Sequence, residues 1–398
     1  MRVEPDSRRA WVTALLSFVA MFVSIGTGFS YGVLVLPASR DLGVAEGTVA
    51  GAFAVTVMVF FLMGAPAGVL ADRVGARVVL ALGALAMGCG LLVTATAPNA
   101  AMLYLGHGLL VGLAMSSTFI PLTAAVSAVF ERRRSTAVGV AVSGIGLGTL
   151  VMAPLLAALI RAVGWRDSYL VLAAGSTAVL LVCAALTKGP RLHSPHAPPA
   201  SESTRTRDYR LMYASQVLLS VAIFTPFAHL PAYAEQSGAD AVDAAALVGV
   251  IGAASVVGRL GLGWVADRWG LFRTYRICFV AIGASFVAWL WPGAAYPALL
   301  LHAVVLGVGY GGFVALLPGL VAHRFGLERL GGLLGILYTS HVFGAGLGPL
   351  ATGLLVDRLG YVPAGVTGLV CGLAAAVVLG GLSDRVSATP VTAGARAG

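Results

Sequence analysis

Arg259 is the residue whose position first suggests chemistry. It lies in an apolar run that we assign to 243–266, eight residues before Asp267. At about 1.5 Å per helical residue, it stands roughly 12 Å from the end of the run, close to the middle of a bilayer. An arginine at that depth costs about 2.5–3.5 kcal/mol on insertion scales and keeps its proton. We therefore predict that Arg259 faces a cavity or a partner.

The partner of Arg259 is not evident among the acidic residues. All 16 Asp and Glu residues map to termini, loops or the ends of apolar runs. The expected anion is then the carboxylate of a substrate, which a guanidinium group can bind through two parallel hydrogen bonds. Ser255, four residues earlier on the same helical face, could add a hydroxyl group. The alternatives are an arginine bonded to backbone carbonyl groups and a serine bonded to its own helix.

A second feature is a motif that occurs twice. The segment 68–75, Gly-Val-Leu-Ala-Asp-Arg-Val-Gly, recurs at 263–270 as Gly-Trp-Val-Ala-Asp-Arg-Trp-Gly, 195 positions later. The same offset relates Arg134 to Arg329 and Pro154 to Pro349. Because each repeat holds an even number of apolar runs, the two halves share one orientation, as in parallel repeats used for alternating access.

The repeated motif is predicted to latch neighbouring helices together. Its glycines permit close helix approach, and its aspartates lie just past a helix end, where a carboxylate can hold a positive group or a helix N-terminus. Such a contact can close a gate and break when the gate opens. A solvated turn with ordinary arginines is the alternative. The predicted gating residues are Gly68, Asp72, Arg73, Gly75, Arg77, Gly263, Asp267, Arg268 and Gly270.

These residues belong to a chain that needs lipid as its solvent. Of its 398 residues, 59% are hydrophobic and 10% are charged, whereas soluble domains carry roughly 25% charged residues. We predict an all-α membrane protein with twelve transmembrane helices, in two six-helix halves related by a pseudo-two-fold axis along the membrane normal. The predicted spans are 11–36, 48–70, 77–97, 101–128, 135–160, 167–187, 211–234, 243–266, 273–292, 296–322, 331–356 and 361–382.

The domain organisation follows from the longest polar segment. Residues 188–210 are rich in Pro, Ser and Arg and are predicted to form a flexible cytoplasmic linker. It separates an N-terminal six-helix bundle, 1–187, from a C-terminal six-helix bundle, 211–382. A short cytoplasmic tail, 383–398, completes the chain.

The basic residues predict the orientation. With the N-terminus in the cytoplasm, twenty of the 25 Lys and Arg residues fall on the cytoplasmic side, and only Arg40, Arg161, Arg166 and Arg358 lie on the other. The positive-inside rule therefore favours cytoplasmic N- and C-termini in a plasma or inner membrane. Topology and lipid headgroups account for the net charge of +9, so we expect no nucleic-acid partner.

Other chemistries find no support in the sequence. The four cysteines stand singly in apolar runs, without metal-ligand or redox spacing. There is no P-loop and no nucleophile elbow, and the glycine-rich segment 144–148 follows no strand, so it is not a dinucleotide loop. We expect no enzymatic activity, no cofactor and no metal.

The chain resembles the major facilitator superfamily through the loop segment 68–77, Gly-Val-Leu-Ala-Asp-Arg-Val-Gly-Ala-Arg. Within that superfamily it is similar to the monocarboxylate transporter family, including its bacterial oxalate/formate-type relatives. The segments that carry this similarity are 28–33 (Gly-Phe-Ser-Tyr-Gly-Val), 132–139, 143–148, 164–166, 226–233 and 255–259.

The resemblance implies roles for individual residues. In that family the arginine of the eighth span is taken to bind the substrate carboxylate, and it matches Arg259. Tyr31, Tyr310 and His341 lie in spans one, ten and eleven, which border the cavity in this superfamily, and so are candidate substrate contacts. The chain also departs from animal members, since Ser255 stands where they carry an aspartate and the first span has no lysine.

We therefore predict a monomeric secondary active transporter that moves a small organic monocarboxylate by alternating access, with proton symport as one mode of coupling. Histidines are the candidates for a proton relay because no carboxylate is embedded, and His341 falls nearest the middle of its span. The alternatives are anion exchange without protons, efflux of a drug or metabolite, and a transport-dead sensor on the same scaffold.

Overall fold

The computed structural model describes residues 5–187, 200–290 and 295–382, which form helices and no strands. The first six spans are α1 (Arg8–Leu42), α2a (Glu46–Leu62) with α2b (Gly64–Val74), α3 (Ala76–Ala95), α4 (Ala100–Val129), α5 (Arg134–Val163) and α6 (Trp165–Leu186). The last six are α7 (Arg207–Gln236), α8 (Ala241–Trp269), α9 (Leu271–Trp289), α10 (Tyr296–Phe325), α11a (Leu330–Tyr338) with α11b (Ser340–Leu359) and α12 (Tyr361–Gly380).

The predicted membrane fold is confirmed. Ten helical segments in the described ranges are long and apolar enough to cross a membrane, and α2a with α2b forms an eleventh span. α11a and α11b follow one another with a break at Thr339 and complete the twelve. The first predicted span was too short, since α1 continues through a 3-10 turn at Ser30–Leu34 as far as Leu42.

The second span, predicted over 48–70, is bent. α2a and α2b meet at an angle of 43° around Met63. Pro66 lies in the first turn of α2b. It has no N–H to donate to the preceding turn, and its ring crowds the carbonyl group there, so the helix bends.

The eleventh span, predicted over 331–356, is also broken. The hydroxyl group of Thr339 donates to the carbonyl of Ile336 at 2.7 Å, and that of Ser340 donates to Leu337 at 2.6 Å. Such side-chain bonds compete for the carbonyl groups of a helix and favour a bend. The break leaves Tyr338 as the last residue of α11a.

The predicted linker, 188–210, lies partly outside the described ranges. Residues 188–199 lie outside the described ranges, and a six-residue helix, Ala200–Arg205, follows them. α7 already begins at Arg207, because the side chain of Thr206 caps it by accepting a hydrogen bond from the backbone N–H of Tyr209. The predicted tail, 383–398, lies outside the described ranges.

Both copies of the repeated motif lie at one face of the bundle, which we call the motif face. An even number of antiparallel spans in each half also brings the two ends of the described chain to this face. The most extensive contacts between the halves are those of α2b with α11a and of α5 with α8. The elements that carry the motif are therefore the elements that hold the halves together.

Candidate functional site

Arg259 lies in α8 where the two halves meet, with only 2% of its surface exposed. α5 of the opposite half packs directly against it. A Cβ atom at Gly139 would collide with the carbonyl oxygen of Arg259, and one at Gly146 would lie 2.9 Å from Nη1. The two glycines thus make room for the arginine at the interface.

The guanidinium group of Arg259 is incompletely paired. Among the described residues, Nε and Nη1 have no hydrogen-bond partner. The group lies 5.8 Å from the ring centre of Tyr310, whose hydroxyl also interacts with it electrostatically. The hydroxyl group of Tyr338 is close enough to interact electrostatically and is itself buried without a partner. Because buried polar groups are normally paired, an unpaired cation beside an unpaired hydroxyl forms an arrangement suited to an anion.

Ser255 is buried one turn before Arg259 in α8. Its hydroxyl group donates to the carbonyl of Gly252 at 2.7 Å, which is the second of the two roles considered from the sequence. The oxygen is also 3.8 Å from the position that a Cβ atom of Gly146 would occupy. Ser255 therefore borders the same space as Nη1 of Arg259, with its proton engaged in its own helix.

Aromatic rings from both halves surround the next part of the site. His341 is 3% exposed and stacks on Phe61 at 5.3 Å and on Phe313 at 5.6 Å. Tyr338 lies 5.3 Å from His341 and meets Phe119 edge to face at 5.0 Å. We call this set the central aromatic cluster, and its members are Phe61, Phe119, Phe224, Phe313, Tyr338 and His341.

Tyr31 does not join Arg259, Tyr310 and His341, contrary to the expectation from its span. It lies in the 3-10 turn of α1, fully buried within the first half, and its hydroxyl donates to the carbonyl of Val49 at 3.0 Å. Its ring packs 4.1 Å from that of His107. The turn directs the side chain toward α2a and α4, so Tyr31 serves packing in this structure.

The aspartate of the first motif copy bridges the halves at the motif face. Asp72 is 3% exposed, and its two carboxylate oxygens accept hydrogen bonds from the backbone N–H groups of Gly331 at 3.1 Å and Gly332 at 2.9 Å. These N–H groups belong to the first turn of α11a, where the helix dipole also favours a negative charge. A Cβ atom at Gly68 would collide with the carbonyl oxygen of Gly331, so only glycine permits this approach. We call this contact the Asp72 latch.

The second motif copy repeats the contact with the halves exchanged. Asp267 of α8 accepts hydrogen bonds from the backbone N–H of Ser135 at 3.3 Å and from the N–H and hydroxyl of Thr136 at 3.1 and 2.6 Å. This Asp267 latch engages the first turn of α5 and is exposed, unlike the Asp72 latch. Arg134 lies beside Asp267 and Arg329 beside Asp72, so the arginine pair also follows the repeat.

The other motif residues shape the ends of the helices. Gly75 and Gly270 have φ values of 94° and 102° and end α2b and α8 with turns that favour glycine. Arg73 and Arg77 are exposed. The guanidinium group of Arg268 lies 3.7 Å above the ring of Trp264. These three arginines make no latch contact among the hydrogen bonds of the described residues.

The sequence predicted His341 as a substrate contact, but not the rings that surround it in the central aromatic cluster. Tyr338 stands in an apolar span and gave no signal beyond being polar and aromatic, and the phenylalanines read as ordinary packing residues. Only the approach of the two halves brings Phe61 and Phe119 to the rings of the second half.

The family model and the most similar proteins of known name indicate the same family. The model described as Major Facilitator Superfamily matches residues 16–301. Human monocarboxylate transporter 11 is 30% identical over 388 residues, covering 89% of this chain and 79% of that protein. Rat monocarboxylate transporter 12 is 28% identical over 352 residues, covering 78% of this chain and 72% of that protein.

Solved structures agree at the level of the fold. The fucose:proton symporter FucP of E. coli matches with a TM-score of 0.77 and 16% identity, covering 95% of this chain and all of that one. The human organic anion transporter MFSD10 matches with a TM-score of 0.73 and 16% identity, over 94% of this chain and all of that one.

Proposed function

Since this chain belongs to the major facilitator superfamily and, within it, to the monocarboxylate transporter family, we propose that it carries a small organic monocarboxylate across the membrane by alternating access. Arg259 binds the carboxylate, Tyr310 orients the guanidinium group, and the two latches close the motif face. The observation that carries the proposal is the pair of unpaired nitrogens, Nε and Nη1, on a buried arginine between the halves.

The same observation argues against a purely structural arginine. A structural arginine would direct its donors to backbone carbonyl groups, yet two of its nitrogens have no such partner in the described part of the chain. Leaving a charged donor unpaired away from water costs several kcal/mol. A carboxylate ligand supplies the missing acceptors, and it can leave again when the site is exposed to water.

Alternating access follows from the position of the latches relative to Arg259. Both latches engage at the motif face, so this structure is closed on that side. The excess of Lys and Arg supports placing this face, with both termini, in the cytoplasm. Opening toward the cytoplasm then requires both latches to break, while Arg259 stays between the halves that move.

Purified protein in liposomes should take up a labelled monocarboxylate and discriminate against its neutral amide. The amide has nearly the same shape but cannot form the charged pair with Arg259, so it should compete about 30-fold more weakly or worse. The measurement is inhibition of uptake by matched acid and amide pairs such as lactate and lactamide. Equal inhibition by acid and amide would reject a carboxylate site and favour efflux of neutral compounds.

Anion exchange is the second candidate, because the empty carrier holds an unpaired cation. When the carrier returns without ligand, the halves move around a guanidinium group that lacks hydrogen-bond acceptors. When the carrier is loaded, the carboxylate neutralises that group during the movement. We therefore expect uptake into liposomes preloaded with the same carboxylate to exceed uptake into empty liposomes severalfold. Equal rates, together with acceleration by an inward proton gradient, would favour proton symport instead, with His341 as the candidate relay.

A further inference from the structure

We propose that the cargo is an aryl carboxylate, whose flat ring is held by the central aromatic cluster while its carboxylate lies between Arg259 and the hydroxyl of Tyr338. The inference rests on the proposed carboxylate site at Arg259 and deepens it. It adds a substrate class and a second donor, neither of which follows from the arginine alone.

The first observation is the ring surface beside the unpaired cation. The ring of Tyr310, 5.8 Å from the guanidinium group of Arg259, lies 6.5 Å from Phe313 of the cluster. Tyr338 packs 5.3 Å from His341, and its hydroxyl lies within electrostatic range of Arg259. On its other side it meets Phe119 edge to face at 5.0 Å. A ligand whose carboxylate reaches Arg259 therefore has its body directed toward aromatic rings.

The second observation is that the cluster is divided between the halves. Phe61 and Phe119 belong to the first half, and they pack on His341 and Tyr338 of the second. When the halves move apart, these ring contacts are lost and ring faces are left without partners. A flat aromatic ligand restores offset-stacked and edge-to-face contacts of the same kind, and a short aliphatic chain does not.

The third observation is the hydroxyl of Tyr338. It is buried and has no hydrogen-bond partner among the described residues. A carboxylate has two oxygens and about four acceptor positions, which is enough for the arginine and one neutral donor. The hydroxyl of Tyr338 can therefore donate a hydrogen bond to a carboxylate that is bound at Arg259.

The experiment compares benzoate with cyclohexanecarboxylate, which has a similar size and the same charge but is not flat. Thermal shift and isothermal titration on the purified full-length protein should show benzoate binding about tenfold more tightly than cyclohexanecarboxylate, and acetate more weakly than both. Tyr338→Phe keeps the ring and removes the hydroxyl, so the Kd for benzoate should rise about tenfold, as expected for one hydrogen bond to a charged group.

Tyr169→Phe is the matched control, because Tyr169 is also a buried tyrosine with an unpartnered hydroxyl but packs near His107 in the first half. It should leave the affinity for benzoate unchanged.

Equal affinities of the wild type for benzoate and cyclohexanecarboxylate would overturn the aryl class, whatever the variants do. An unchanged Kd in Tyr338→Phe would overturn the second donor. If acetate or lactate bound in an Arg259-dependent manner and benzoate did not, this inference would fail while the proposed function stood. If no carboxylate bound, the proposed function itself would fail.

Discussion

Replacing Arg259 with alanine should abolish carboxylate uptake while the protein still reaches the membrane. The variant loses the only buried Arg or Lys of the described residues, and with it the unpaired donors Nε and Nη1. Removing one partner of a buried charged pair costs about 2–5 kcal/mol, which corresponds to roughly 30-fold to several thousandfold in affinity.

Arg259→Lys separates charge from geometry. Lysine keeps the positive charge but offers a single ammonium group in place of the planar fork, so two parallel bonds to one carboxylate are lost. We expect binding that is measurable but at least tenfold weaker than in the wild type. A lysine variant with full affinity would show that charge alone suffices at this position.

Thermal stability without ligand distinguishes a binding arginine from a structural one. Alanine removes an incompletely paired buried charge, so the melting temperature of the ligand-free protein should not fall markedly. Arg161→Ala is the control, because Arg161 is an exposed arginine in the last turn of α5 and lies outside the motif and the candidate site. It should leave uptake close to normal. Normal carboxylate uptake by Arg259→Ala would end the proposal.

Asp72→Asn should impair turnover far more than ligand affinity. Asparagine retains one acceptor oxygen and no charge, so the Asp72 latch loses a charge-assisted hydrogen bond to the first turn of α11a. The loss of about 1.5–3 kcal/mol shifts the equilibrium roughly 10- to 100-fold toward the state that is open at the motif face. The carboxylate site is built from other residues, so its intrinsic affinity should change little.

The measurement pairs uptake kinetics with a distance between the halves. Spin labels at the exposed positions Val78 and Glu328 flank the Asp72 latch, and Asp72→Asn should move their distance distribution to longer values. The matching change Asp267→Asn should have a smaller effect, because that latch is exposed and water can replace its bonds. Asp41→Asn, which removes an exposed ion pair with Arg166 away from the latches, serves as the control. An unchanged distance distribution with reduced affinity would argue against gating.

Most of this architecture could be predicted from the sequence, because each apolar run indicates a span by its own length and each motif copy can be recognised within its own segment. Each span follows from its own composition, and Asp72 and Asp267 could be recognised as equivalent positions of the two repeats from their offset alone. The breaks in α2 and α11 had local signals as well, in Pro66 and in the hydroxyl pair Thr339 and Ser340.

The candidate site was predicted only in part, because its composition depends on how the halves meet. Arg259 stood out because a charge in an apolar span is costly wherever it points. Tyr31 and Tyr338 gave equivalent signals, since both are single tyrosines within apolar spans. The local 3-10 turn directs one into the first half, and the end of α11a brings the other to the interface. Long-range packing decides between them, and it leaves no trace in periodicity.

The contact between Gly68 and Gly331 has a consequence for how fast the gate can work. The two glycines meet backbone to backbone. Because neither has a side chain, forming this contact restricts no side-chain rotamer of theirs and requires no repacking of their side chains. Separating two glycines exposes little apolar area, so this contact itself adds only a small hydrophobic contribution to the barrier of the proposed gate. Its strength resides instead in the two hydrogen bonds to Asp72, which form or break within one turn of helix. A gate built this way can be tight at rest and still re-form in the same register at every transport cycle.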